Sequence, residues 1–147
     1  MRHIKDPKLR QDESFGVIPF SKARGKWEVF LIQHNRSGYW GFPKGHAEAD
    51  ETPQEAAFRE LKEETNLELI QLIKKDPMME QYTFMMDGER VYKRVFYFIA
   101  EVGGEVKLQT EEIHDGKWIP LPEATVQVTH QEGKSLLAQA KKMLPKC

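Results

Sequence analysis

An α/β sandwich, of the α+β kind with a mixed central sheet and helices on its faces, is the architecture these 147 residues predict. Three observations predict it. Apolar runs of strand length, separated by turn signals, fill residues 15–33 and 67–102. One strongly capped helix interrupts them at residues 52–65, and an amphipathic helix follows from about residue 129. The order strands, loop, helix, strands, helix leaves both helices only a sheet to cover.

FGVIPF (15–20) and WEVFLIQ (27–33), around the turn-like SKARGK, read as a hairpin. RSGYWGFPKGHAEADE (36–51) has glycines, a proline and no sustained period, so it reads as a loop, and it is too long to be only a connector. At Thr52-Pro53-Gln54-Glu55 the helix-start signals coincide: a Thr N-cap, Pro at the first helical position and Glu three residues after the cap. The helix should run to Thr65, with Asn66 as a left-handed cap.

LELIQLI (67–73) is a further strand, and EQYTFMM and RVYKRVFYFIAEV form a long hairpin around Asp87-Gly88. VFYFIA (95–100) is apolar on both faces, which predicts a central, doubly covered strand. KWIPL (117–121) is the last strand. Thr129 to Glu132 repeats the capping-box spacing, and LLAQAKKML makes the final helix amphipathic with its lysines at the C-terminal end.

A chain that is 39% hydrophobic and 31% charged fits one domain with a real core, expected over residues 14–147. Residues 1–13 are polar, lack the apolar centre of a secretory signal, and are expected to be a flexible leader. With 22 basic and 23 acidic residues, nothing asks for duplex nucleic acid or an anionic membrane, and no apolar run approaches a membrane span. An anionic ligand must therefore be met locally. Cys147 stands alone, which excludes an internal disulfide or a cysteine-rich zinc site and fits a reducing cytoplasm. A monomer is expected, and a dimer is compatible.

The segment RELKEE (59–64) concentrates the chemistry. At 100° per residue, Glu60, Glu63 and Glu64 share an arc of roughly 100° beside the apolar stripe of Ala57, Phe58 and Leu61. Setting Glu60 four residues before Glu64 costs about 0.2–0.5 kcal/mol in an isolated helix, and partial burial raises that cost. Two readings offset it. One is a solvated acidic face with ion pairs to Arg59 and Lys62; the other is an all-oxygen, incomplete ligand set for Mg²⁺ or Mn²⁺.

Spacing in the wider segment favours the second. Gly45 stands six residues before Glu51, Glu51 stands eight before Arg59, and RELKEETNL follows. This resembles the Nudix box, in which Gly, five residues, Glu, seven residues, Arg-Glu-aliphatic, one residue, Glu-Glu, one residue, Gly-aliphatic occur in that order. The departure is Asn66 in place of the second glycine, and Asn accepts the same cap conformation. The resemblance implies an α/β/α sandwich that hydrolyses a nucleoside diphosphate linked to another group with Mg²⁺ or Mn²⁺. It implies Glu60, Glu63 and Glu64 as metal ligands with the Gly45 carbonyl, and Glu51 with Arg59 as the pair tying loop to helix.

In YWGFPKGHAE the chain is similar to the Trp-x-x-Pro-Lys-Gly-His stretch of asymmetric diadenosine tetraphosphate hydrolases. That implies a small nucleotide substrate, with diadenosine tetraphosphate yielding ATP and AMP; other substrates of the family are the alternative, and a non-catalytic nucleotide-binding module is a further one. Lys44 adds a cation beside the loop to stabilise departing phosphates. Two candidates stand for the base: Glu112, which resembles a later-loop glutamate of that branch, and Glu60. Glu111 and Glu112 also fit an exposed acidic turn, and His114 reads as surface. Tyr82, in a stretch resembling that branch's adenine-stacking tyrosine, and Tyr39 are candidates to stack on a base, whereas Trp40 and Phe42 read as loop anchors. Lys93 or Arg94, His34 and His46 are candidates to reach phosphate; Lys93 and Arg94 alternate on a strand, so at most one faces the site.

Overall fold

The computed structural model describes residues 9–146. Its elements are β1 (Leu9–Ala23), β2 (Lys26–His34), β3 (Trp40–Gly41), β4 (Lys44–Gly45), α1 (Pro53–Thr65), β5 (Glu68–Leu72), β6 (Met78–Met86), β7 (Glu89–Gly103), β8 (Ile113–Pro120), α2 (Leu121–Gln127) and α3 (Gln131–Lys141). Among the described residues the eight strands form one mixed sheet in which β1 and β7 run parallel and every other pairing is antiparallel.

The two hairpins close as their turn residues require. Arg24 and Gly25, and later Asp87 and Gly88, all take positive φ, the conformation that matches the right-handed twist of flanking strands. Strands β1 and β2 stay paired only from Phe20–Ala23 to Lys26–Val29. Beyond that they part, and the 36–51 loop fills the opening: β3 pairs with Ile32 and Gln33 of β2, and β4 with Phe15 and Gly16 of β1. The long loop is thus held at sheet level.

Period-two alternation assigns the two faces. Val17, Phe30, Ile32, Phe98 and Ala100 point to one side and meet Ala57 and Leu61 of α1. Ile18, Val29, Leu31, Val95, Tyr97 and Ile99 point to the other and meet Leu121 and Ala124 of α2 and Leu136, Leu137 and Ala140 of α3. Strand β7 contributes to both layers, as VFYFIA predicted. Leu61 is fully buried, and such a side chain stabilises the fold by about 1.5–3 kcal/mol. No helix among the described residues is long and apolar enough to cross a membrane.

Four expectations need correction. Residues 9–13 of the expected leader are sheet, paired with Arg90–Arg94 of β7, while residues 1–8 lie outside the described residues. Strand β8 begins at Ile113 and ends at Pro120, because Leu121 opens α2, a helix with Pro122 in its first turn that the strand pattern concealed. The last helix is capped at His130, and Thr129 makes no cap bond: its hydroxyl accepts the backbone N–H of Trp40. The loop 36–51 contains two short strands.

Candidate active site

Helix α1 is built as its first residues dictate. Thr52 Oγ1 accepts the Glu55 N–H at 3.1 Å, Glu55 Oε1 accepts the Thr52 N–H at 2.9 Å, and Asn66 closes the far end at φ 68°. The loop is tied to this helix through Arg59. Its Nε donates to Glu51 Oε2 at 2.6 Å, its Nη2 to Glu51 Oε1 at 3.0 Å and to the His46 carbonyl at 2.9 Å. These bonds hold the Glu51 carboxyl below the ordinary carboxylate range, with the Glu48 N–H adding to the effect.

The expected meeting of three glutamates is corrected in one member. Glu63 lies one turn after Arg59, accepts its Nη1 at 2.9 Å and is half-exposed, whereas Glu60, which accepts the same Nη1 at 3.2 Å, is turned inward. Among the described residues no three acidic or imidazole side chains gather at metal-ligating distance. Glu60 and Glu64 do come together. Glu60 is mostly buried and lies against the loop so closely that a Cβ at Gly45 would overlap its carboxylate. Glu64 is 6% exposed, and its Oε1 has no hydrogen-bond partner. Burial first, and the adjoining Glu60 carboxylate second, push the Glu64 carboxyl up to about 9, while the Lys44 ammonium opposes them. A buried, partnerless carboxylate oxygen beside a second carboxylate and a side-chain-free loop residue is a donor set that fits a hard divalent cation.

Lys44 lies in β4 on the cavity side of this pair. Burial and the neighbouring Lys93 hold its ammonium below the usual lysine range, against the pull of Glu64, Glu80 and Asp12. His34, at the end of β2, is likewise lowered by burial and by Lys44, with Glu112 opposing. Lys44 and His34 line a cavity of about 900 Å³ together with Tyr39, Trp40, Phe42, Tyr82, Tyr97 and His130. Phe42 packs edge-on against Tyr97 at 5.4 Å and is buried, and Trp40 packs on the same core, so both anchor the loop as expected. Tyr82 is partly buried and Tyr39 stands edge-on to His130 at 4.6 Å.

Other predicted residues are placed differently. Lys93 is buried and donates to Asp12 Oδ2 at 2.5 Å and Ser14 Oγ at 2.6 Å, so its expected reach toward phosphate is made toward Asp12 instead. His46 pairs with Asp12 at 2.9 Å, is largely exposed, and does not line the cavity. Arg94 points the other way and pairs with Glu13, as strand alternation requires. Glu112 is exposed on the loop before β8, near enough to Glu64 and His34 to be felt by both. Glu111 and His114 are exposed.

Sequence reasoning missed Glu80, Glu132 and Arg36, all of which line the cavity. Glu80 carried a usable signal: it is two residues before Tyr82 on one strand, hence on the same face. Its carboxyl is raised by burial and by Glu132 against Lys44. Glu132, from α3, could not be placed without the tertiary fold.

A mixed sheet between helices, with a carboxylate-bearing helix set over a loop and a basic and aromatic cavity beside it, defines the class. A profile of the NUDIX domain matches residues 10–140. A relative from Mycobacterium tuberculosis, MutT4, is 32% identical over 111 residues, 73% of this chain and 43% of that protein, so the chain spans less than half of that relative's length. A bis(5′-nucleosyl)-tetraphosphatase [asymmetrical] from Caenorhabditis elegans is 32% identical over 124 residues, 83% of this chain and 88% of that protein. The crystal structure of a C. elegans Ap4A hydrolase binary complex superposes with a TM-score of 0.69 at 27% identity, covering 88% of this chain and 95% of that one. The chain belongs to the Nudix family.

Proposed function

We propose that this chain hydrolyses nucleoside polyphosphates with Mg²⁺ or Mn²⁺ and that diadenosine tetraphosphate, cleaved to ATP and AMP, is its preferred substrate. The observation that carries the reading is the Glu60–Glu64 pair: two carboxylates forced together under cover, one with an unsatisfied oxygen, next to a cavity whose inner wall is Lys44.

Glu60, Glu64 and the Gly45 carbonyl would hold the cation. A bound divalent cation would supply Lewis acidity toward phosphoryl oxygens and lower the pKa of a water. The chain's own residues do the rest. Glu112, or Glu60 in the alternative assignment, takes the proton of the attacking water; the new P–O bond forms from that water's oxygen as the bridging P–O bond breaks, its electron pair leaving on the departing phosphate. Lys44 and His34 face the charge that develops there. Tyr82 and Tyr39 offer flat surfaces for a base, and Phe42 and Tyr97 close the cavity floor.

Support for a substrate with extra phosphates comes from Lys44 in the loop, from the cavity's volume, and from the name of a relative that this chain matches over 88% of its length. The test is a product profile. Diadenosine tetraphosphate, a 5′-triphosphorylated RNA, an oxidised nucleoside triphosphate, ADP-ribose and an inositol pyrophosphate are offered with Mg²⁺, and products are resolved by ion-exchange chromatography. ATP and AMP in equal amounts, at the highest kcat/KM of the panel, are expected; a higher kcat/KM on any other member overturns the preference.

A further inference from the structure

We infer that Asn35 is a positioning residue that holds the Thr110–Glu112 loop so that the Glu112 carboxylate is kept at the site. The inference rests on the assignment of Glu112 as the base.

Residues 104–112 have no regular structure of their own, and nine such residues do not hold a carboxylate in place unaided. Two sets of hydrogen bonds fix them. The first binds the segment to the end of α1: the Asn66 amide donates to the Glu105 carbonyl at 2.8 Å, the Lys107 N–H to the Thr65 carbonyl at 2.9 Å and the Gln109 N–H to the Glu64 carbonyl at 3.0 Å. The second set is made by Asn35. Its Nδ2 donates to the Thr110 carbonyl at 3.0 Å and the Glu111 carbonyl at 2.9 Å, and its backbone N–H donates to the Glu112 carbonyl at 2.9 Å. Three consecutive carbonyls are thus gripped by one residue.

The position explains the choice of side chain. The β2–β8 ladder shifts register between Gln33 and His34, so strand pairing ends at His34 and Ile113. Past that irregularity the strand ladder does not reach Thr110 and Glu111, and the Asn35 amide takes its place. A short primary amide supplies two N–H donors, and of the other side chains of that length none does. Asn35 also follows His34 directly, so the clamp joins the cavity wall to the loop that carries Glu112. Gln109 adds a brace from within, accepting the Glu112 N–H on Oε1 at 3.0 Å.

A double-mutant cycle in full-length protein, on diadenosine tetraphosphate with Mg²⁺, tests this. Glu112→Gln is expected to lower kcat about 10²–10⁴-fold, and Asn35→Ala about tenfold or more with KM little changed, since misplacing a reacting group acts on the chemical step. In the Glu112→Gln background Asn35→Ala should cost nothing further, and alone it should shift the acidic limb of the kcat–pH profile. Effects that multiply, or an unmoved pH profile, mean that Asn35 is only structural and overturn the inference. If Glu112→Gln is costly while Asn35→Ala is silent, positioning alone falls. If Glu112→Gln itself is silent, the base assignment falls and this inference with it. Should Asn35→Ala fail to fold, Asn35→Ser, which keeps one donor, carries the same cycle.

Discussion

The Arg59 guanidinium grips both carboxylate oxygens of Glu51, through Nε at 2.6 Å and Nη2 at 3.0 Å. This fork joins the loop that contains Gly45 to the helix that contains Glu60 and Glu64. Planar, bidentate pairing of this kind is why arginine stands there and why lysine would not replace it.

The same contact predicts an acid-side stability term. Arg59, then the Glu48 N–H, lower the Glu51 carboxyl from its ordinary value of 4.5. A carboxylate depressed in the folded state stabilises the fold above its unfolded pKa, and that contribution is lost as pH falls through the folded one. Thermal unfolding followed from pH 7 to pH 3 should therefore show a shallower acid-side decline for Glu51→Gln below about pH 4.5. Parallel curves would place the acid sensitivity elsewhere.

Glu64 carries the opposite sign. Its carboxyl is raised to about 9, so the folded protein holds that proton more tightly than the unfolded chain, and stability falls as pH rises from 4.5 toward 9. Glu64→Gln keeps the shape and removes the titration. In the presence of a chelator at pH 8 the variant should unfold several degrees above wild type, a gain of about 1–3 kcal/mol, with the difference shrinking by pH 5. Turnover in Mg²⁺ should be abolished in the same variant. A Tm equal to or below wild type at pH 8 would show that the carboxylate is not strained where it stands.

Gly45 is required by contact rather than by backbone conformation: its φ is not left-handed, yet a Cβ there would overlap the Glu60 carboxylate. Gly45→Ala should leave the melting temperature within a few degrees of wild type and lower kcat about 10–100-fold, because a displacement on the order of 1 Å suffices for such a loss. Unchanged kcat would separate Gly45 from the chemistry.

What could be read from the chain alone follows the range of the interactions. The Thr52–Glu55 box, the Asn66 cap and the Asp87-Gly88 turn are settled within a few residues, and each forms where expected. Spacing over 23 residues singled out Gly45, Glu51, Arg59, Glu60 and Glu64, and the fold sets Glu51 on Arg59 and Glu60 beside Gly45 and Glu64. Choices settled between distant segments were not legible. Lys93 is claimed by Asp12, a residue of the expected leader that becomes sheet only through its pairing with β7. Thr129 gives its hydroxyl to Trp40, 89 residues earlier in the chain, and so cannot cap the helix it precedes. Glu132 reaches the cavity only once α3 has packed.

Everything proposed for this site requires that Glu60 and Glu64 be held together to share a divalent cation. The most direct test of that requirement is a titration of Mn²⁺ into wild type and Glu64→Gln at pH 8 with free ion counted by electron paramagnetic resonance. Saturable binding is expected in wild type, with a loss of at least tenfold in affinity in the variant. Equal affinity in the two proteins would contradict it.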